Sequence, residues 1–253
     1  GKVNSSEIVS VDESGGAHTS RTIMLGDLQQ LLAAVPADAD RDAYRIAVVE
    51  DNVLGKGSDS TRKKSYRYLR ELYRLDPESE LFSTMRALWD RDPAGQPLLA
   101  MLCALARDPV LQNTSDVVLA TPFGAVFSNQ QIKAEVLDRY PNAYSDSIAD
   151  KIGRNAGSSW TQSQHLEGRI NKVRRRAIAT PGSTVLALYL GHLQGIRGSL
   201  LFTSDWARVL DAPVDELYQH ASVASSYGWI DFKRYADVVE VGIRDLATGV
   251  GGS

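Results

Sequence analysis

Residues 144–181, YSDSIADKIGRNAGSSWTQSQHLEGRINKVRRRAIATP, hold the decisive pattern of this chain. A weakly amphipathic helix runs into a short basic segment that reads as a β-hairpin and stops at Pro181. Between Lys151 and Thr180 stand seven Lys or Arg residues and one acid, in a chain whose net charge is −3. A helix followed by a positively charged hairpin is the pattern of a winged helix-turn-helix. It favours nucleic-acid binding over any catalytic reading.

Placed at 100° per residue, the helix sorts into two faces. Ile148, Ile152, Ala156, Ser159 and Trp160 form the expected buried side. Ser147, Lys151, Arg154, Ser158, Thr161 and His165 form the outer one, with Asn155 and Gln162 beside it. Lys and Arg suit phosphate or the O6/N7 edge of guanine, Ser and Thr reach phosphate or bases, and Asn or Gln suits adenine. Gly153 and Gly157 each cost ~1 kcal/mol relative to Ala in a helix, so a close backbone approach is expected there. A plain surface helix is the competing reading. In the hairpin, Arg169, Lys172, Arg174, Arg175 and Arg176 are candidates for phosphate or minor-groove contact. Alternation puts Arg174 and Arg176 on one face and Arg175 on the other. A charged edge that discourages aggregation is the alternative.

Upstream, residues 62–74, RKKSYRYLRELYR, carry six bases against Glu71. Lys63, Arg67, Arg70 and Arg74 make a continuous helical stripe, flanked by Arg62 and Lys64. Stripes of this kind are usually solvated faces that mix signs. This one is almost wholly positive, so it suits a second DNA-backbone contact or docking on an acidic protein. Acids dominate outside these two segments. The overall balance therefore hides a local footprint, and local charge governs DNA affinity.

The surrounding organisation is mainly α with small β-hairpins. A disordered tail is expected over residues 1–24 and a helical bundle with its own core over 25–121. Its helices are Leu25–Val35, Asp40–Leu54, Ser60–Leu75 with Ser60 as cap, Ser79–Trp89, Pro97–Ala106 and Pro109–Leu119. Tyr44, Ala47, Val48 and Asp51 fall near one face of the second. A winged unit follows over 122–182: a strand in PFGAVFS, a helix over Asn129–Arg139, then the opening segment. A C-terminal unit over 183–246 repeats the theme. It has helices at Ser183–Gln194, Thr203–Leu210 and Pro213–Ser226, then a hairpin turning near Tyr235–Asp237. Residues 247–253 read as a flexible tail.

Composition narrows the function. With 43% apolar residues the chain can build a substantial core. The lone Cys103 permits no disulfide framework or Cys-based zinc site, which fits a cytoplasmic protein. The four His residues lack metal-site spacing, no apolar run approaches a membrane span, and no secretory leader is expected. LGKGSDST, residues 54–61, lacks phosphate-loop spacing. Asp231 and Lys233 with Asp211 resemble a nuclease core only loosely, because Asp211 is expected at a helix end rather than on a neighbouring strand. No catalytic residue, metal or cofactor is expected.

Four segments together resemble the BrxA family, small accessory proteins of bacterial BREX phage-resistance systems. They are VVEDNVLGKGSDSTRKKSYRYLRELYRLDP (48–77), LLAMLCALARDPVL (98–111), SSWTQSQHLEGRINKVRRR (158–176) and ATPGSTVLALYLGHLQGIRG (179–198). The resemblance spans Tyr44 to Ile243. It implies a NusB-like helical bundle joined to winged-helix elements, binding of double-stranded DNA, and partnership with a methyltransferase, a phosphatase-like protein and an ATPase. It implies no catalysis. An adaptor docking acidic partners and a sequence-specific transcriptional regulator are the other readings.

Overall fold

The computed structural model describes residues 7–246. Among these described residues, eleven α-helices and five short strands follow the expected order. The N-terminal half is α1 (Leu25–Ala34), α2 (Arg41–Arg45), α3 (Asp59–Tyr73), α4 (Glu80–Arg91), α5 (Gln96–Arg107) and α6 (Pro109–Leu119). A single π-helical turn, Ile46–Glu50, extends α2. Tyr44, Ala47 and Val48 are buried as expected, but this turn leaves Asp51 exposed. Ser79 and Asp108 cap α4 and α6 by accepting main-chain N–H bonds, as short polar caps do. Ser58, not Ser60, caps α3: its hydroxyl accepts the amide of Thr61.

Next come β1 (Val126–Phe127), α7 (Asn129–Arg139), α8 (Asp146–Gln162), β2 (Leu166–Glu167) and β3 (Lys172–Arg174). The strands form an antiparallel sheet in the order β1-β3-β2, pairing Val126 with Val173 and Leu166 with Arg174. Gly153 and Gly157 explain the tight seat of α8 on the start of α7. A Cβ on Gly153 would lie 2.9 Å from the main-chain oxygen of Asn129, and one on Gly157 1.9 Å from its side-chain oxygen. The close approach expected of these glycines is therefore to α7.

The chain closes with α9 (Pro181–Leu193), α10 (Asp205–Arg208), α11 (Val214–Ser226), β4 (Ile230–Tyr235) and β5 (Val238–Ile243). β4 and β5 make a two-stranded hairpin that turns at Ala236–Asp237. Phe232 stacks on Tyr218 of α11 and also meets Phe202, which fastens this hairpin to α11.

Two expectations about organisation fail. The bundle has no separate core: buried apolar side chains form one continuous cluster from Ala17 to Leu246. The reason is α9, apolar nearly all round, which packs on α4 and α5. Nor is the N-terminal segment a tail from Glu7 onward. Val9 donates to Ala106 O, Glu7 accepts from Ser79, and His18 is buried. Residues 1–6 and 247–253, expected as tails, lie outside the described residues. Among the described residues no helix is long and apolar enough to cross a membrane.

Candidate nucleic-acid interface

Helix α8 presents the expected polarity through its middle. Ile152, Ala156, Ser159 and Trp160 are buried, and Trp160 donates its indole N–H to Thr114. Ser147, Lys151 and Arg154 are exposed, and Ser158 is half-buried. Arg154 shares Asp150 with Lys133, at 3.2 and 3.6 Å, and Lys151 forms no ion pair among the described residues. Asp150 is held below the usual carboxylate range by a hydrogen bond from Gln130 and by these cations. Both ends of the helix differ from expectation. Ile148 is exposed, and its neighbour Ala149 is the buried residue of the first turn. His165 lies past the helix end and is fully buried against Trp160.

The flank of α8 is occupied by the N-terminal segment. Asn155 donates to His18 O at 3.1 Å, Gln162 accepts from the Leu25 amide at 3.0 Å, and Ser159 accepts from the Ile23 amide. Thr161 is half-buried and donates to Gly157 O. Asn155, Thr161 and Gln162 are thus engaged inside the fold, which corrects their assignment as base-reading groups.

The hairpin departs furthest from its expected role. Lys172 is buried, its ammonium 2.9 Å from Thr161 Oγ1 and 3.2 Å from Gly168 O, and burial lowers its pKa. Arg174 is buried too and is paired with Asp211. Neither can hold phosphate. Arg174 and Arg176 lie on one side, as alternation predicts, both over the Phe123 ring and both bonded to Asp211. Arg175 points the other way and pairs with Glu167 at 2.7 Å, and Arg176 donates to Asp211 O. Arg169 stays exposed and unpaired among the described residues.

On α3 the stripe survives with one exception. Lys63, Lys64, Arg67, Arg70 and Arg74 are exposed, with Lys63 paired to Asp59 in the preceding turn. Arg67 and Arg70 lie over the rings of Tyr68 and Tyr66, so the tyrosines fix their directions without neutralising them. Arg62 is half-buried and donates to Val49 O.

Arg21, in the segment read from sequence as a tail, lies between the two basic helices. Its guanidinium sits 5.2 Å from the Tyr68 ring, on which Arg67 also lies at 4.8 Å. A hydrogen bond with Ser20, then the two arginines, hold the Tyr68 phenol below its ordinary pKa. Three residues earlier His18 touches Asn155 of α8, so a single short stretch spans from one basic helix to the other. Arg21 carried no periodic signal that sequence reasoning could have used.

His18 itself stands between Asp108 and Ser159, with ring nitrogens 2.7 Å from Asp108 Oδ2 and 2.6 Å from Ser159 Oγ. The order of groups matches a nucleophile triad, but all three are buried. Ser159 also contacts the main chain of Ile23 and Asn155. The trio clasps the N-terminal segment to α6 and α8. Burial alone would raise the Asp108 pKa, but the His18 ring and the main-chain amides of Leu111 and His18 outweigh it and lower it. The loosely nuclease-like acids are separated by their partners: Asp211 is committed to Arg174 and Asp231 to Arg244. Among the described residues no group of three metal-ligating side chains forms.

No protein-family model matches the chain, and no curated protein matches it.

Proposed function

We propose that this chain is a cytoplasmic double-stranded-DNA-binding protein that grips the duplex through a winged-helix unit and the neighbouring helix α3. The supporting observation is the set of bases that the fold leaves at its surface: Lys151 and Arg154 exposed on α8, Lys64, Arg67 and Arg70 exposed on α3, and half-buried Arg21 against Tyr68 of α3. The strand order β1-β3-β2, with α7 and α8 between β1 and β2 in the chain, supports the winged-helix assignment. With its amide side chains engaged internally, α8 contributes chiefly phosphate contacts, which position a protein without reading sequence. The resemblance to BrxA extends the proposal to an accessory role in phage defence, beside a methyltransferase, a phosphatase-like protein and an ATPase.

Fluorescence anisotropy with a random-sequence duplex tests the grip. With six or more phosphates engaged, affinity should fall by roughly 10³–10⁵ between about 50 and 200 mM salt. Salt-independent binding, or unchanged binding after Lys151→Glu with Arg154→Glu, would overturn the proposal.

A second reading, an adaptor that docks a protein partner, draws on exposed apolar side chains near the sheet. Val126 is 74% exposed and Ile178 61%. A partner-dependent shift without any DNA binding by the chain alone would favour it.

A further inference from the structure

The loop between β2 and β3 consists of Gly168, Arg169, Ile170 and Asn171, all exposed. Ile170 is 82% exposed, and no other part of the described chain covers it. A singly exposed apolar residue needs no explanation by itself. Its setting does. With Lys172 and Arg174 drawn into the fold and Arg175 neutralised by Glu167, the outward chemistry of this hairpin is Arg169, Ile170 and Asn171. A cation, an apolar side chain and an amide side by side are what proteins use in the minor groove. Arg and Asn read its width and edges while an apolar wedge enters between base steps.

The loop is also braced, as a wedge must be. Lys172 ties the Gly168 carbonyl to Thr161 of α8. Gly168 has φ +114°, and a Cβ there would meet Asn171 O at 2.3 Å, so only glycine closes the loop in this form. Leu166–Arg174 and Glu167–Val173 pair immediately behind it.

We propose that this tip is a minor-groove wedge: Ile170 enters and partly unstacks one base step, with Arg169 and Asn171 in the groove on either side. Flexible pyrimidine–purine steps are the preferred targets, because they unstack most cheaply. The inference rests on the DNA-binding reading and deepens it by naming a deformed duplex as the ligand.

The test uses the full chain and a duplex carrying 2-aminopurine at a central TA step, with dyes at its ends. Wild-type protein should raise 2-aminopurine fluorescence and shorten the end-to-end distance. Ile170→Ala should abolish both signals and weaken binding severalfold. Ile170→Lys should retain affinity through its charge while losing both signals. Because the side chain is solvated, neither change threatens folding. Binding without a fluorescence rise, or an Ile170→Ala variant that unstacks the step as well as wild type, overturns the wedge alone. Failure of wild-type protein to bind any duplex overturns the DNA-binding reading and the wedge with it.

Discussion

Arg174 and Asp211 meet fork to fork, with both hydrogen bonds at 2.7 Å and side chains 1% and 4% exposed. The pair fastens β3 to the turn after α10, and Asp211 also accepts from the Ala177 amide. Arg174 further donates to Val118 O and Arg175 O, so its charge is enclosed by acceptors. Removing one partner strands the other. Arg174→Ala or Asp211→Asn should therefore destabilise by about 3–5 kcal/mol in chemical denaturation, whereas a volume-matched apolar pair at both positions should recover much of the loss. A mild single-mutant effect would mean that water reaches the survivor.

The crossing of α7 and α8 depends on absent Cβ atoms. Alanine at Gly153 gains ~1 kcal/mol in helix propensity but forces apart main-chain contacts, which typically costs about 1–3 kcal/mol. A net loss of stability is expected on thermal melting. Gly157→Ala meets a side chain instead, so adding Asn129→Ala should rescue it, and should leave Gly153→Ala unrescued.

Acid should weaken the fold through His165. Burial lowers its pKa from 6.5 to about 4, against partial support from Asp211 and the Val209 carbonyl. Between those values the unfolded chain takes up a proton that the folded chain refuses. Stability is complete above pH 6.5 and declines toward pH 4, by a few kcal/mol in total. Asp108, with its lowered pKa, loses its contribution as pH falls further. Urea midpoints across this range should show the slope, and His165→Gln should flatten its upper part whatever it does to absolute stability.

Surface and interior cations should separate cleanly. Arg21→Glu with Arg67→Glu should reduce duplex affinity at low salt with little change in melting temperature. Lys172→Ala should lower the melting temperature, because Lys172 ties the loop to α8, and its effect on binding should follow that loss of structure. Anisotropy and melting curves on the same preparations distinguish the two classes. A folded Lys172→Ala protein with fully intact hairpin and lost DNA binding would contradict this division.

Helical periodicity carried most of the element order because local rules generated it. Pro109–Leu119 and Asn129–Arg139 are bounded by Asp108 and Ser128 caps, and both ranges were readable from residue type alone. The burial of Ile152, Ala156 and Trp160 followed from spacing along α8. The failures share one cause: partners distant in sequence. Alternation separated Arg174 from Arg175, but which of the two faces is interior depended on Asp211, 37 residues away. His18 looked like part of a polar tail until Asp108 and Ser159 closed around it. Ile148 had the right phase by helical spacing, but packing turned Ala149 inward in its place.

The sequence by itself determined a mainly helical chain with two concentrated groups of bases and short hairpins, since caps, periodicity and charge clusters are local properties. Tertiary structure alone decided which of those bases face solvent. Lys172 and Arg174 became internal braces, while Arg21 emerged between α3 and α8. Whether a charge is spent inside the fold depends on the acceptors that packing brings to it, and a linear pattern contains no record of them.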